Sequence, residues 1–138
     1  MCLSIKVERP NDVLAEGEHL GFEWAVTNNG NGYRCGYIRL PVGHPWHGAD
    51  YDADVLDDVA VHGGLTFAEA DKPCHKLGAD DAWWLGFDCA HSRDRQDPSL
   101  PRQIAAFDRS FKFEGAKVRS QEYVEEQCRS LCEQAAAA

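Results

Sequence analysis

Residues 20–41, LGFEWAVTNNGNGYRCGYIRLP, decide the fold. Phe22, Trp24 and Val26 alternate with Glu23, Ala25 and Thr27, the period-2 pattern of a half-buried strand. The run Asn28-Asn-Gly-Asn-Gly32 follows, rich in residues that accept the positive φ angles of a tight hairpin turn. Beyond it Tyr33, Cys35, Tyr37 and Arg39 fall on one face of a second strand, which Pro41 ends. The stretch predicts an antiparallel hairpin.

Working outward, Pro41-Val-Gly-His-Pro-Trp-His-Gly48 is predicted to be a loop, because two prolines and two glycines in eight residues continue neither helix nor strand. The next segment holds five Asp between 49 and 58. Asp50-x-Asp52-x-Asp54 opens like a calcium loop, but Val55 stands where the turn glycine belongs and Val61 where a bidentate Glu is needed. Apolar runs predict strands over 59–68 and 82–90, joined by a polar loop with Pro73, Cys74 and His75. Residues 92–103 read as an exposed loop, and 107–118 as a short helix or an edge strand. The clearest helix starts at Ser120, an N-cap with Glu122 in the first turn. Val124, Cys128, Leu131 and Ala135 then form one apolar stripe suited to lying on a sheet. The order of elements predicts one α+β domain over 1–138, a mainly antiparallel β-sheet with a C-terminal helix packed on one face.

The chain has 138 residues and a formal net charge of −9, from 14 basic and 23 acidic side chains. That balance argues against a duplex-DNA partner, which demands clustered Lys and Arg. No run of 18 apolar residues is present, so no membrane association is expected. The opening Met1-Cys-Leu-Ser-Ile-Lys-Val-Glu is too soon charged for a signal peptide, and a cytoplasmic location is expected. The six Cys are irregularly spaced without a C-x-x-C pair, which favours free, buried thiols. A homo-oligomer is left open.

Chemistry concentrates in VHGGLT (61–66) and WWLGFDCAH (83–91). If the two predicted strands pair with Ala68 opposite Trp83, His62 lies opposite Cys89 and shares a face with His91. A one-residue slip places His62 opposite Asp88 instead. Gly63, Gly64 and Gly86 leave backbone bare, as where a ligand approaches. The loop carrying His44 and His47 is placed to close over such a cleft, and Arg93 and Arg95 to receive a phosphate or carboxylate. Three readings compete. In one, a small anionic, nucleotide-like molecule is bound by His44, His62, Gly63, Gly64, Asp88, His91 and Arg93. In another, His62, Asp88 and His91 hold a divalent metal such as zinc, which activates water for hydrolysis. In the third, the same residues form a hydrogen-bonded network in a protein-binding or structural module. Cys89 as a nucleophile beside His62 is a weaker fourth chemistry.

The segments GYIRLPVGHPWHGADYD, VHGGLTFAE, WWLGFDCAHSRD and YVEEQCRSL resemble a family of small bacteriophage and prophage proteins with GHPxxG, VHGGLT and WWxGFDxAH motifs in the same order. The resemblance covers roughly residues 20–132, and Gly43, His44, Pro45, Gly48, Tyr51, His62, Gly63, Gly64, Trp84, Gly86, Phe87, Asp88 and His91 fall on its motifs. Trp46-His47 and Phe67 depart from the aromatics or aliphatics expected there. The resemblance implies a phage-associated accessory protein of the bacterial cytoplasm, and no particular reaction. Small phage proteins of this kind often counter host defence, some by sequestering nucleotide signals, which favours the ligand-binding reading.

Overall fold

The predicted hairpin is the centre of the sheet. β1 (Val13–His19), β2 (Phe22–Asn28), β3 (Arg34–Leu40), β4 (Phe67–Ala70) and β5 (Trp83–Asp88) form one antiparallel sheet in the order β1-β2-β3-β5-β4. The structure, a computed structural model, describes residues 3–72, 81–101 and 115–138. The turn between β2 and β3 is built by Asn28, whose Oδ1 accepts from the N–H groups of Gly30 (3.1 Å) and Gly32 (3.0 Å). Both glycines have positive φ, 98° and 89°. A third strand, β1, was not expected from the sequence. It joins β2 through Leu20 and Gly21, both at positive φ, the signature of a primed two-residue turn. Its pattern is disguised by Gly17, whose missing Cβ leaves room for the Trp24 indole.

The C-terminal helix α2 (Gln121–Ala137) forms as predicted, and Ser120 Oγ accepts from the Tyr123 N–H at 3.2 Å. Its stripe of Val124, Cys128, Leu131 and Ala135 is buried against Trp24, Val26, Ile38, Leu40, Leu85 and Phe87. The other sheet face is also covered: the short helix α1 (Ser4–Glu8) and the residue before it bring Ile5 and Leu3 onto Ala25, Cys35, Tyr37 and Trp84. That is why β2 is buried on both faces at its end, rather than half-buried. Residues 73–75 and most of 107–118 lie outside the described residues; of the latter stretch, the described Lys117–Val118 forms strand β7, parallel to β6 (Asp94–Arg95). No helix among the described residues is long and apolar enough to cross a membrane.

The expected strand over 59–68 is corrected: Phe67–Ala70 pairs with β5, Thr66 adds one bond from its N–H to the Gly86 carbonyl, and residues 59–65 leave the sheet. Gly63 and Gly64 both take positive φ, which ends an extended run. The backbone that a strand would satisfy is instead met by glutamines of α2. Gln134 accepts from the Ala60 N–H and donates to the Ala60 carbonyl, and Gln127 accepts from the His62 N–H at 2.9 Å. Neither considered register exists, since Ala68 pairs with Leu85 and His62 with no strand. The 92–103 loop expectation also needs correction, because Asp94 is wholly buried.

Gly36 shows how closely α2 lies on the sheet. A Cβ there would overlap the Phe87 ring and reach 2.7 Å from Cys128 Sγ. Replacing a glycine in an unobstructed strand by alanine is ordinarily mildly stabilising. Here Gly36→Ala is expected to destabilise by about 1–3 kcal/mol through overpacking. Urea denaturation measures this, and an unchanged or raised midpoint would contradict the contact between Gly36 and the helix.

Candidate functional site

Three chain segments converge beside the first turn of α2. The loop 59–66 carries His62, the turn after β5 carries His91, and β6 carries Asp94. The turn is closed by the Asp94 N–H donating to the His91 carbonyl at 2.9 Å, which sets the two side chains three residues apart on one side. The β6–β7 ladder then delivers Arg119, and the first turn of α2 delivers Tyr123.

His62 stands at the middle of the constellation. Its Nε2 lies 3.0 Å from both carboxylate oxygens of Asp94, and its Nδ1 lies 2.8 Å from the Tyr123 hydroxyl. With Nε2 protonated, a neutral His62 donates to the carboxylate and accepts at Nδ1 from Tyr123; with Nδ1 protonated, it donates to the Tyr123 hydroxyl oxygen and leaves an Nε2 lone pair for an ion. Asp94 also accepts from the His91 N–H (3.0 Å) and from Arg119 Nε (2.6 Å), while His91 Nδ1 is 3.3 Å from its Oδ2. Gly63 makes the packing possible, because a Cβ there would overlap the His91 ring.

Asp94 has 1% of its side chain exposed, and burial alone disfavours its charge. The hydrogen bonds from Arg119, His62 and the His91 N–H outweigh burial and hold its carboxyl down at about 2. Asp94 is a carboxylate at neutral pH, with Arg119 as its fixed counter-ion. Cys89 is 1% exposed, and burial pushes its thiol up, which removes the thiolate that nucleophilic catalysis requires. The four described cysteines are all free and buried.

Of the sequence-derived set His62, Asp88 and His91, the structure clusters the two histidines with Asp94 instead of Asp88. Asp88 pairs in register with Cys35 and faces the α1 side of the sheet, across the His91 ring from Asp94. Its Oδ1 is 3.7 Å from His91 Nε2, and it accepts from Thr66 Oγ1 and from the Ala90 N–H, both at 3.0 Å. Three residues that sequence reasoning left out, Asp94, Arg119 and Tyr123, complete the constellation. The spacing His91-Ser-Arg-Asp94, compatible with one tight turn, was the available signal.

His44 is placed elsewhere. Its Nδ1 accepts from the Trp46 N–H (3.0 Å), so its Nε2 carries the proton and donates to the Ala135 carbonyl (2.8 Å). It serves the last turn of α2, whereas His62 meets Tyr123 in the first, about 18 Å away along the helix. The 41–48 loop is therefore a brace for α2 and not a lid over His62. His47 Nε2 lies 2.5 Å from the Asp81 carbonyl. Arg93 is exposed, with its carbonyl accepting from the Lys117 N–H, and Arg95 donates to the Ala116 carbonyl. Gly64 faces open space at positive φ, and Gly86 makes room for the Tyr37 ring.

His62, His91 and Asp94 each offer one ligand atom, all within 4.8 Å of one another. No family model, no curated protein and no solved structure matches this chain.

Proposed function

We propose that His62, His91 and Asp94 form a divalent-metal centre of the catalytic type, with zinc as the best-fitting ion, and that the protein uses it on a small anionic substrate. One observation carries this reading: His62, His91 and Asp94 bring three ligand atoms within 4.8 Å of one another, with Tyr123 and Arg119 holding two of these side chains from behind. His62 Nδ1 has the Tyr123 hydroxyl and Asp94 Oδ1 has Arg119, while His91 Nε2 lies 3.7 Å from Asp88 Oδ1, beyond hydrogen-bond reach. The atoms that approach one another are His62 Nε2, His91 Nδ1 and Asp94 Oδ2, the last also accepting from the His91 N–H. Outer partners of this kind fix the tautomer and direction of metal ligands. With bonds of about 2.0–2.1 Å, neighbouring ligands of a tetrahedral zinc lie about 3.3 Å apart. Asp94 Oδ2 is 3.0 Å from His62 Nε2 and 3.3 Å from His91 Nδ1, near that spacing, and the two nitrogens lie within 4.8 Å of each other.

Two imidazoles and one carboxylate leave a fourth position for water, whose pKa a bound zinc lowers to about 7. Hydrolysis is the chemistry that this donor set supports. The metal also supplies the positive charge an anion requires, since Arg119 is committed to Asp94 and Arg34 to Asp97. In the setting that the motif resemblance implies, the protein is an accessory protein of a phage, acting on a nucleotide-like molecule in the cytoplasm of the bacterial host.

Native mass spectrometry of protein purified without chelator tests the reading. The expected result is one added metal mass per chain in the wild type and none in His62→Ala. The competing reading is an ion-free polar network, favoured by the fact that His62 and Asp94 satisfy each other directly at 3.0 Å. A bare mass after zinc has been supplied and excess removed would establish that network and sink the metal centre.

A further inference from the structure

A second recess adjoins the metal centre through a shared residue. On the α1 side of the sheet lies an open cleft of about 550 Å³, inside the range of small-molecule sites. His91 forms part of its wall, so the ring that turns Nδ1 to Asp94 turns Nε2 to Asp88 at the cleft. The floor includes Phe67 and Tyr37, packed edge to face with ring centres 4.9 Å apart. Thr66 and Asp88 stand at the rim. No Lys or Arg is among the described residues that line it.

We infer that this cleft binds a flat nitrogen heterocycle with two adjacent N–H donors, of the guanine type, through stacking on Phe67 and a paired hydrogen bond to Asp88. The charge decides the class. Asp88 is the acid of the wall and attracts N–H edges, while Arg9, which donates to the Asn29 carbonyl beside the cleft at 3.0 Å, is ion-paired with Asp12 at 3.2 Å. Each Asp88 oxygen accepts one internal hydrogen bond, from Thr66 Oγ1 or the Ala90 N–H, and each keeps a further lone pair. Two parallel acceptors on one carboxylate match two neighbouring donors, the geometry that makes bidentate pairs both strong and selective. The aromatic floor receives the ring face, where stacking is tolerant of ring identity. Selectivity therefore sits in Asp88 and not in Phe67. As the substrate pocket of the metal centre, the cleft rests on the function proposed above, and it adds the substrate class: a guanine-type nucleotide whose base lies here and whose phosphate lies toward the metal across His91.

The test uses guanosine, inosine and adenosine, which lack phosphate, titrated by calorimetry or NMR into chelator-treated protein. Binding of the base is thereby measured without the metal, and the two proposals fail separately. Guanosine is expected to bind most tightly, inosine about tenfold more weakly for want of the 2-amino donor, and adenosine more weakly still. Asp88→Asn is expected to weaken guanosine about tenfold or more while leaving adenosine unchanged. Thr66→Val, which frees an Asp88 lone pair without altering its charge, is expected to retain the order of preference. Equal affinity for the three nucleosides, no binding of guanosine, or indifference of guanosine to Asp88→Asn would each overturn the assignment, whether or not the metal binds.

Discussion

Asp94→Ala is expected to lower folding stability by about 3 kcal/mol at neutral pH, as measured by urea denaturation. The side chain is buried, and its carboxylate ties together three segments through His62, the His91 N–H and Arg119. Truncation leaves the His91 N–H and the Arg119 guanidinium without their acceptor, and an unpaired buried group costs more than the bond itself was worth. The acid limb of the stability profile provides an independent check. The Asp94 carboxyl is lowered from its ordinary 3.8 to about 2 in the folded protein. A depressed folded value means that the unfolded chain takes up the proton first, so the stabilisation is fully present above about pH 4. It is lost as the pH falls through about 2, and amounts to about 2 kcal/mol. Asp94→Asn is expected to flatten that part of the wild-type profile. A loss under 1 kcal/mol in Asp94→Ala, with the acid limb retained, would mean that the carboxylate is not the tie between these segments.

The unequal legibility of this sequence has a physical origin in where its hydrogen bonds go. The β2–β3 hairpin and the stripe of α2 were readable because period-2 and period-3.6 patterns report burial against one continuous surface. The stretch 59–66 looked like a strand because its apolar residues are buried, yet its backbone is satisfied by Gln127 and Gln134 of α2. Side chains more than sixty residues away in sequence leave no local trace of that service. The same blindness moved the site. The structure brings His62 and His91 together, but pairing them by strand register selected Asp88, since Asp94 sits in a stretch whose arginines and prolines read as solvent-exposed. Burial of Asp94 depends on the parallel β6–β7 contact and on Arg119, neither of which a local pattern carries. Glycines misled in an instructive way. Gly63 and Gly86 were read as room for a ligand, and the rooms are filled by the chain's own His91 and Tyr37 rings.

Zinc affinity across a series of variants separates the metal centre from an ion-free network with the larger signal. Wild type is expected to bind one zinc per chain. His62→Ala removes a ligand outright, and a loss of roughly a hundredfold or more is expected, beyond what outer partners contribute. Tyr123→Phe keeps all three ligand atoms and removes only the hydroxyl 2.8 Å from His62 Nδ1. Loss of such an outer partner typically costs about tenfold to a hundredfold in metal affinity, and that range is expected here. Binding also couples to folding: free zinc at about a hundred times its Kd stabilises the folded state by about 2.7 kcal/mol, with no such effect on His62→Ala. In an ion-free network the Tyr123 hydroxyl contributes stability alone, so Tyr123→Phe would shift the denaturation midpoint equally with and without zinc. The two accounts therefore part on a single quantity, the dependence of the Tyr123→Phe shift on zinc. Growth of that shift with added zinc places the hydroxyl behind a metal ligand, because only then does the removed hydrogen bond orient an atom that the ion needs.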